Sequence, residues 1–459
     1  MEEAENWFEG SDVSGVLERV KRGTLRGASL CLLDKARSLS GLTLEEAATI
    51  LLSPDPEPLF EVAREVKEKV YGKRLVLFAP LYLSNRCANN CLYCGFRRDN
   101  LGLARKTLTL DEVARETEAL IKQGHKRLLL VAGEGQGGDL DYLEKAISTV
   151  YATKPEHGEI RRVNVNVAPL PLDGFRRLKE AKIGTYQLFQ ETYHHLTYER
   201  MHPSGPKSDY DWRIAGMDRA MAAGIEDVGI GALFGLYDYR YEVLALLAHA
   251  KHLEEAFGAG PHTISVPRFK PAHGACFSEA PYSVKDDDLM RIVAVLRLAV
   301  PYTGIILSTR EPAPLREKLF ELGVSQISAG SRTDVGGYVF EKKGERQFEI
   351  DDRRSLERVI CDLCEKDGLP SFCTACYRRG RTGEKFMALA RPGEIGDLCL
   401  PNAILTLEEY LLDYASEETK GKGERVISRY LREIGSPVLL EETQTRLARL
   451  TDGERDLYF

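Results

Sequence analysis

Eight short β-rich runs, separated by seven amphipathic helical stretches, fill the chain from residue 74 to about 330. They are RLVLFAPL (74–81), RLLLVAG (127–133), RRVNVNVA (161–168), TYQLFQ (185–190), EDVGIGALF (226–234), HTISVPR (262–268), GIILST (304–309) and VSQISAG (324–330). Strands that alternate with helices pair in parallel through right-handed crossovers. Such a sheet either stays open and doubly wound or closes on itself. Eight strands over about 255 residues is the count and length at which it closes. The expected fold is α/β, a (β/α)8 TIM-type barrel.

The flanks differ from this pattern. Residues 1–73 read as an N-terminal helical extension, with a capping box at Thr43 and Glu46 and a break at SPDPEP. The barrel is expected over 74–340. Over 341–459 a C-terminal, mainly helical domain follows: the charged stretch EKKGERQFEIDDRR reads as a linker or surface hairpin, and TLEEYLLDY suggests a second capping box at Thr406 and Glu409. Net charge is −7 with Lys and Arg evenly spread, which speaks against a nucleic-acid or lipid surface. No apolar run approaches the roughly 18–20 residues of a membrane span. The acidic start MEEAENWFEGSD does not read as a signal peptide, so a cytoplasmic location is expected. There, ten cysteines are metal ligands or buried thiols rather than disulfides.

CANNCLYC places Cys87, Cys91 and Cys94 on the long connection after the first strand, where barrel enzymes carry their chemistry. The spacing lets one loop wrap three thiolates around one metal centre. Structural zinc takes four protein ligands, and catalytic zinc usually takes histidine. A four-iron cube also needs four ligands, so three cysteines leave one iron open to a chelating small molecule. With Tyr93 before its last cysteine, the motif resembles that of the radical S-adenosylmethionine superfamily. The resemblance implies a [4Fe-4S] cluster on the three cysteines, S-adenosylmethionine on the open iron, and a reductant protein. It also implies that Glu134, in VAGEG after the second strand, grips the cofactor's amino group. Read from the residues alone, Glu134 fits a helix cap as well.

Other strand ends carry polar groups. Asn164 and Asn166 alternate with valines and so share one face, the lumen or the helix layer. Buried polar groups need partners, and a bound cofactor would supply them. Gln190 and Glu191 leave the fourth strand and Arg268 the sixth, as further cofactor contacts. Ser308 and Arg310 leave the seventh and Ser328 lies at the eighth. Arginine holds a carboxylate bidentately, which makes Arg310 the candidate anchor for an amino acid, with Ser308 and Ser328 beside it.

The second cysteine-rich segment allows two groupings. Cys361, Cys364, Cys373 and Cys376 have the spacing of a zinc knuckle. Cys373 and Cys376 also group with Cys399, with 22 residues between the last two, and spacing alone leaves both open. SFCTACYRRGRTGEKFM and DLCLPNAILT resemble the C-terminal domain of the tyrosine lyase family that matures [FeFe]-hydrogenase. QLFQETYHHLTYERMHP, GPHTISVPRFKPA, ILSTREP, SQISAGS and GERDLYF extend that resemblance along the chain; Lys270 departs from an expected arginine.

The resemblance implies cleavage of L-tyrosine to p-cresol and dehydroglycine, then carbon monoxide and cyanide formation at a second site. There an auxiliary iron–sulfur cluster on Cys373, Cys376 and Cys399 carries an additional iron, held by His262 and a free L-cysteine. Other hydrogenase maturation proteins receive the product. Cys361, Cys364, Cys31 and Cys276 are then packing thiols. Two other classes stay open: a one-cluster lyase of the thiamine pathway with structural zinc, and a non-catalytic iron–sulfur carrier. GRTGEK fails the phosphate-loop pattern, and GEGQGGD (133–139) lacks the dinucleotide order.

Overall fold

The computed structural model describes residues 7–9, 11–23, 28–135, 138–340, 346–390 and 394–459. Parts of the acidic start (1–6 and 10), of the glycine-rich run (136–137) and of the charged stretch (341–345) lie outside the described residues.

All eight anticipated runs are strands: β1 Arg74–Ser84, β2 Arg127–Ala132, β3 Arg162–Asn166, β4 Tyr186–Glu191, β5 Val228–Ala232, β6 Thr263–Ser265, β7 Gly304–Leu307 and β8 Gln326–Ser328. Neighbours pair in parallel throughout, and β1 pairs with both β2 and β8. The sheet is therefore a closed barrel, not an open one. Alternation along β1 shows how it is filled. Leu75, Leu77, Ala79, Leu81 and Leu83 join the core beneath the helices, while Phe78, Pro80 and Tyr82 line a cavity in the lumen.

A ninth strand, β9 Leu369–Ser371, pairs in parallel with the start of β1, Arg74 opposite Leu369. Three short residues, one of them proline, gave no strand signal. Its effect is to lay the segment with Cys373 and Cys376 against the N-terminal end of the barrel.

The N-terminal helices form as expected, and the Thr43–Glu46 capping box is complete: Glu46 N–H donates to Thr43 Oγ1 (3.3 Å) and Thr43 N–H to Glu46 Oε2 (2.8 Å). The second anticipated box does not form. One helix runs Glu394–Asp413 through Pro401, so Thr406 is in its interior and donates back to the Asn402 carbonyl (3.0 Å). Glu409 is instead buried against the barrel, accepting from Arg161 Nη2 at 2.6 Å and facing Lys126 Nζ at 3.1 Å. A capping pattern preceded by an apolar run can be a helix interior when tertiary contacts use its carboxylate.

Candidate metal centres and active site

The connection from β1 to the next helix, Leu110–Lys122, carries Cys87, Cys91 and Cys94. It has almost no regular structure, yet it is fixed by polar side chains. Arg105 donates to the carbonyls of Asn85 (2.7 Å), Phe96 (2.8 Å), Arg97 (2.5 Å) and Arg98 (3.1 Å). Asn100 Nδ2 reaches the Gly95 carbonyl at 2.8 Å. Burial pushes the Cys91 thiol up to about 11 and Cys94 to about 12, and the neighbouring cysteines add to it. Such thiols release their protons to a metal rather than to water at neutral pH.

Glu134 belongs to this loop's environment. Its carbonyl accepts from Ala88 N–H (2.6 Å) and its carboxylate from Asn89 Nδ2 (2.6 Å). The following helix, Leu140–Ala152, is capped by Asp139, whose side chain accepts from Tyr142 N–H at 3.0 Å. The capping alternative for Glu134 is thereby removed. Gly133 permits the approach: a Cβ there would sit 2.6 Å from the Arg86 carbonyl.

Above the barrel's midplane, the lumen opens into a cavity lined by Tyr93, Cys94, Asn166, Glu191, Ser308, Arg310 and Ser328. The structure thus brings together most of the upper residues anticipated from sequence. Arg310 stands out electrostatically. Its guanidinium lies 3.3 Å from the centre of the Phe348 ring, and no carboxylate among the described residues approaches it within ion-pair distance. Burial lowers its pKa, so it is a cation in need of an anion. Glu191, with φ +70, is matched by Lys207 Nζ at 2.7 Å. Burial alone would raise its pKa; Lys207 and Arg213 outweigh this and keep it ionised.

Three anticipated contacts lie off this cavity. Asn164 Oδ1 is taken by Arg162 Nε (2.8 Å) and Thr185 N–H (3.0 Å). Arg268 is committed to Glu311 and to Asp286 (2.8 Å). Gln190 is buried elsewhere, with its Nε2 unpartnered. Conversely, sequence reading missed Tyr82, Gln347 and Phe348, which line the cavity. Tyr82 OH donates to Gln347 Oε1 at 2.8 Å, and Gly95 N–H to the Gln347 carbonyl at 3.0 Å. The stretch read as a linker is therefore, from residue 346, a wall of the barrel mouth. Its signal was Phe348, an aromatic among charges. Lys270 also lines the cavity and pairs with Asp351 at 2.7 Å.

At the other end of the barrel, Cys373, Cys376 and Cys399 line one cavity with His262, at the starts of β1, β2, β7 and β8. Cys361 and Cys364 take no part. They lie on the helix Leu356–Glu365, Cys364 in the main core and Cys361 beside Lys422 Nζ at 3.4 Å. Burial raises Cys373, and raises Cys376 to about 12. Burial also lowers His262, against the pull of Asp227 at 3.8 Å, leaving a neutral imidazole of the kind that ligates metals.

Three free thiols on the upper loop and three lining the lower cavity are a donor set that a four-iron cube can use with one iron left open. Among the described residues, no group of three or more His, Cys, Asp or Glu side chains is placed to hold a single metal ion. All ten cysteines are free. No helix among the described residues is long and apolar enough to cross a membrane.

Comparison with known proteins agrees with this geometry. The Radical SAM superfamily profile matches residues 81–248, and the Biotin and Thiamin Synthesis associated domain matches 265–369. The crystal structure of HydG, a maturase of the [FeFe]-hydrogenase, superposes with a TM-score of 0.94 at 53% identity, covering 98% of both chains. HydG from Carboxydothermus hydrogenoformans gives 0.83 at 44%, covering 95% of this chain and 97% of that one. The 2-iminoacetate synthase of Escherichia coli (strain K12) is 33% identical over 346 residues, 74% of this chain and 89% of the relative. The chain belongs to the HydG family of radical S-adenosylmethionine enzymes, the maturases of [FeFe]-hydrogenase.

Proposed function

We propose that this chain cleaves the Cα–Cβ bond of L-tyrosine at the upper end of its barrel, giving p-cresol and dehydroglycine. The dehydroglycine then yields carbon monoxide and cyanide on iron at the lower end, for assembly of the hydrogenase metal site. The observation that carries this reading is the pair of thiol triads at opposite ends of one barrel. A single-cluster lyase has use for only one.

Cys87, Cys91 and Cys94 would hold a [4Fe-4S] cluster, with Glu134, Tyr93, Asn166 and Glu191 around its S-adenosylmethionine. When bound and reduced, that pair supplies a 5′-deoxyadenosyl radical, the hard part of the chemistry. The residues supply placement. Arg310 binds the substrate carboxylate, and Ser308 and Ser328 lie within the same cavity to complete its hydrogen bonds. Apolar Phe78, Leu129 and Ile306 form a separate buried cluster in the lumen and keep water from reactive species. At the lower end, Cys373, Cys376 and Cys399 would hold the auxiliary cluster. Neutral His262 would hold an additional iron together with a free L-cysteine, and that iron, as cargo, would carry the two diatomics away. A reductant protein and the other maturation proteins are the partners.

The test sets Cys376→Ala beside wild type. We expect the variant to keep p-cresol formation and to lose carbon monoxide. Wild-type protein that makes p-cresol without carbon monoxide would instead have the activity named for 2-iminoacetate synthase. Neither p-cresol nor 5′-deoxyadenosine would leave only a carrier.

A further inference from the structure

Residues 456–459 run across the two elements that bring the lower thiols together. Cys376 lies on the turn 375–381, which closes on itself through Arg381 N–H to the Cys376 carbonyl (2.8 Å). That turn carries three arginines, and residues 456–459 engage all of them. Arg378 Nη1 donates to the Asp456 carboxylate, and Arg381 Nη2 to the Phe459 carbonyl. The Tyr458 ring centre lies 3.9 Å from the Arg378 guanidinium and 5.2 Å from that of Arg379. The same segment reaches the helix Glu394–Asp413, which carries Cys399. Phe459 N–H donates to Asn402 Oδ1 (2.9 Å), and Asp456 N–H to Glu409 Oε2 (3.1 Å). Asp456 also pairs with Arg161 Nε at 2.9 Å, just before β3. Among the described residues, no hydrogen bond or ion pair joins the turn 375–381 to that helix directly. The nearest tie is Phe372 N–H to Thr406 Oγ1 (3.2 Å), ahead of Cys373.

We infer that Asp456, Tyr458 and Phe459 are positioning residues of the lower site, a strap that sets the separation of Cys376 from Cys399. This rests on the proposed two-site reading and adds to it the residues that fix the donor set. The physical need is specific. A cluster accepts its thiolates only at the spacing of its own irons, and here they come from two elements. On one side, the strap holds a turn whose only regular structure is the four-residue helix Ala375–Arg378. On the other side, it grips Asn402 and Glu409, each 2% exposed, on a helix tied to the barrel through Lys126. The strap therefore runs from a fixed anchor to a short turn with little structure of its own. None of its residues lines the lower cavity, so they act through Cys376 and not on the reacting groups.

The test uses the anaerobically reconstituted full chain, with iron and sulfide content measured on every sample. Tyr458→Ala removes the ring beneath both guanidiniums, and Tyr458→Phe keeps it. Asp456→Asn keeps the shape and removes the charge facing Arg378 and Arg161. We expect Tyr458→Ala to lower the ratio of carbon monoxide to p-cresol about fivefold or more, the scale of losing two cation–π contacts. The p-cresol rate itself should stay at the wild-type value, because the upper thiols are untouched. The paramagnetic resonance signal of the reduced lower cluster should weaken in the same samples. Asp456→Asn should move both readouts in the same direction, and Tyr458→Phe should leave both near wild type. An unchanged ratio and signal in both Tyr458→Ala and Asp456→Asn overturns the strap. So does p-cresol falling in step with carbon monoxide, since that marks a loss of the whole fold. Wild-type protein with the iron of one cube and no carbon monoxide overturns the two-site reading, and the strap with it.

Discussion

The upper thiol triad sits on one loop, whereas the lower triad is assembled from two elements separated by 22 residues. In the upper site, Arg105, Asn85 and Asn100 tie the loop to itself, and backbone bonds from Ala88, Leu92 and Gly95 to Glu134, Met201 and Gln347 tie it to the other loops of the barrel mouth. In the lower site, Cys373 and Cys376 arrive through β9 and a short turn. Cys399 arrives on the helix Glu394–Asp413. That helix is held to the barrel by buried Arg161 and Lys126 on Glu409. The upper site is therefore built into the barrel. The lower site depends on docking.

Removing one thiol from each triad gives the largest effects. Cys94→Ala should abolish both p-cresol and carbon monoxide, since the second product needs the first reaction. Cys399→Ala should abolish only carbon monoxide. Equal loss of p-cresol in both variants, measured by chromatography, would break the independence of the two sites.

Glu409 tests the docking. Burial would raise its pKa, but Arg161 and Lys126 outweigh burial and hold it at about 2. Its folded pKa lies below the unfolded value of about 4.3, so its contribution is present above pH 4.3 and is lost as pH falls toward 2. The size is about 3 kcal/mol. Glu409→Gln leaves two buried cations poorly matched and should cost a similar amount at pH 7, read from urea unfolding of the metal-free chain. It should also lower the carbon monoxide to p-cresol ratio in reconstituted protein. A destabilised variant with an unchanged ratio would show that the lower site does not depend on this contact.

The same residue marks where sequence reading stopped. The barrel strands were legible because short β-rich runs, continuous as in RLLLVAG or alternating as in RRVNVNVA, recur between amphipathic helical stretches. The upper triad was legible because its ligands are neighbours in the chain. The grouping of Cys373 with Cys399 came from family resemblance, since spacing left the zinc knuckle open. Strand β9 is too short and proline-containing to announce itself. Glu409 was read as a local cap because its partners Lys126 and Arg161 lie far away in the chain. Asn164 was read correctly in its alternation, but its partner is Arg162, two residues back.

Arg310 is a point test confined to the upper site. Arg310→Gln should lower kcat/KM for tyrosine about 10- to 100-fold, the range for losing a charge-assisted carboxylate contact. Arg310→Lys should recover part of it, because the charge returns without the bidentate geometry. Both products should fall together, so their ratio stays fixed. A ratio that drops would place Arg310 in the second reaction as well.

The smallest effect concerns the frame of the upper loop rather than its chemistry. Thr109 ends that connection and caps the helix Leu110–Lys122: Glu112 N–H donates to Thr109 Oγ1 at 3.2 Å, and Thr109 N–H to Glu112 Oε2 at 2.9 Å. Lys106, still on the loop, pairs with Glu112 at 2.8 Å, so cap and loop share a carboxylate. Thr109→Ala removes one cap bond and should destabilise the metal-free chain by about 1 kcal/mol. The loop's own ties through Arg105 and Asn85 are untouched, so iron content at the upper site and tyrosine turnover should stay near wild type. If turnover falls by more than the loss of folded protein explains, the upper site is not self-contained. Its geometry would then depend on helix docking, as the lower site's does.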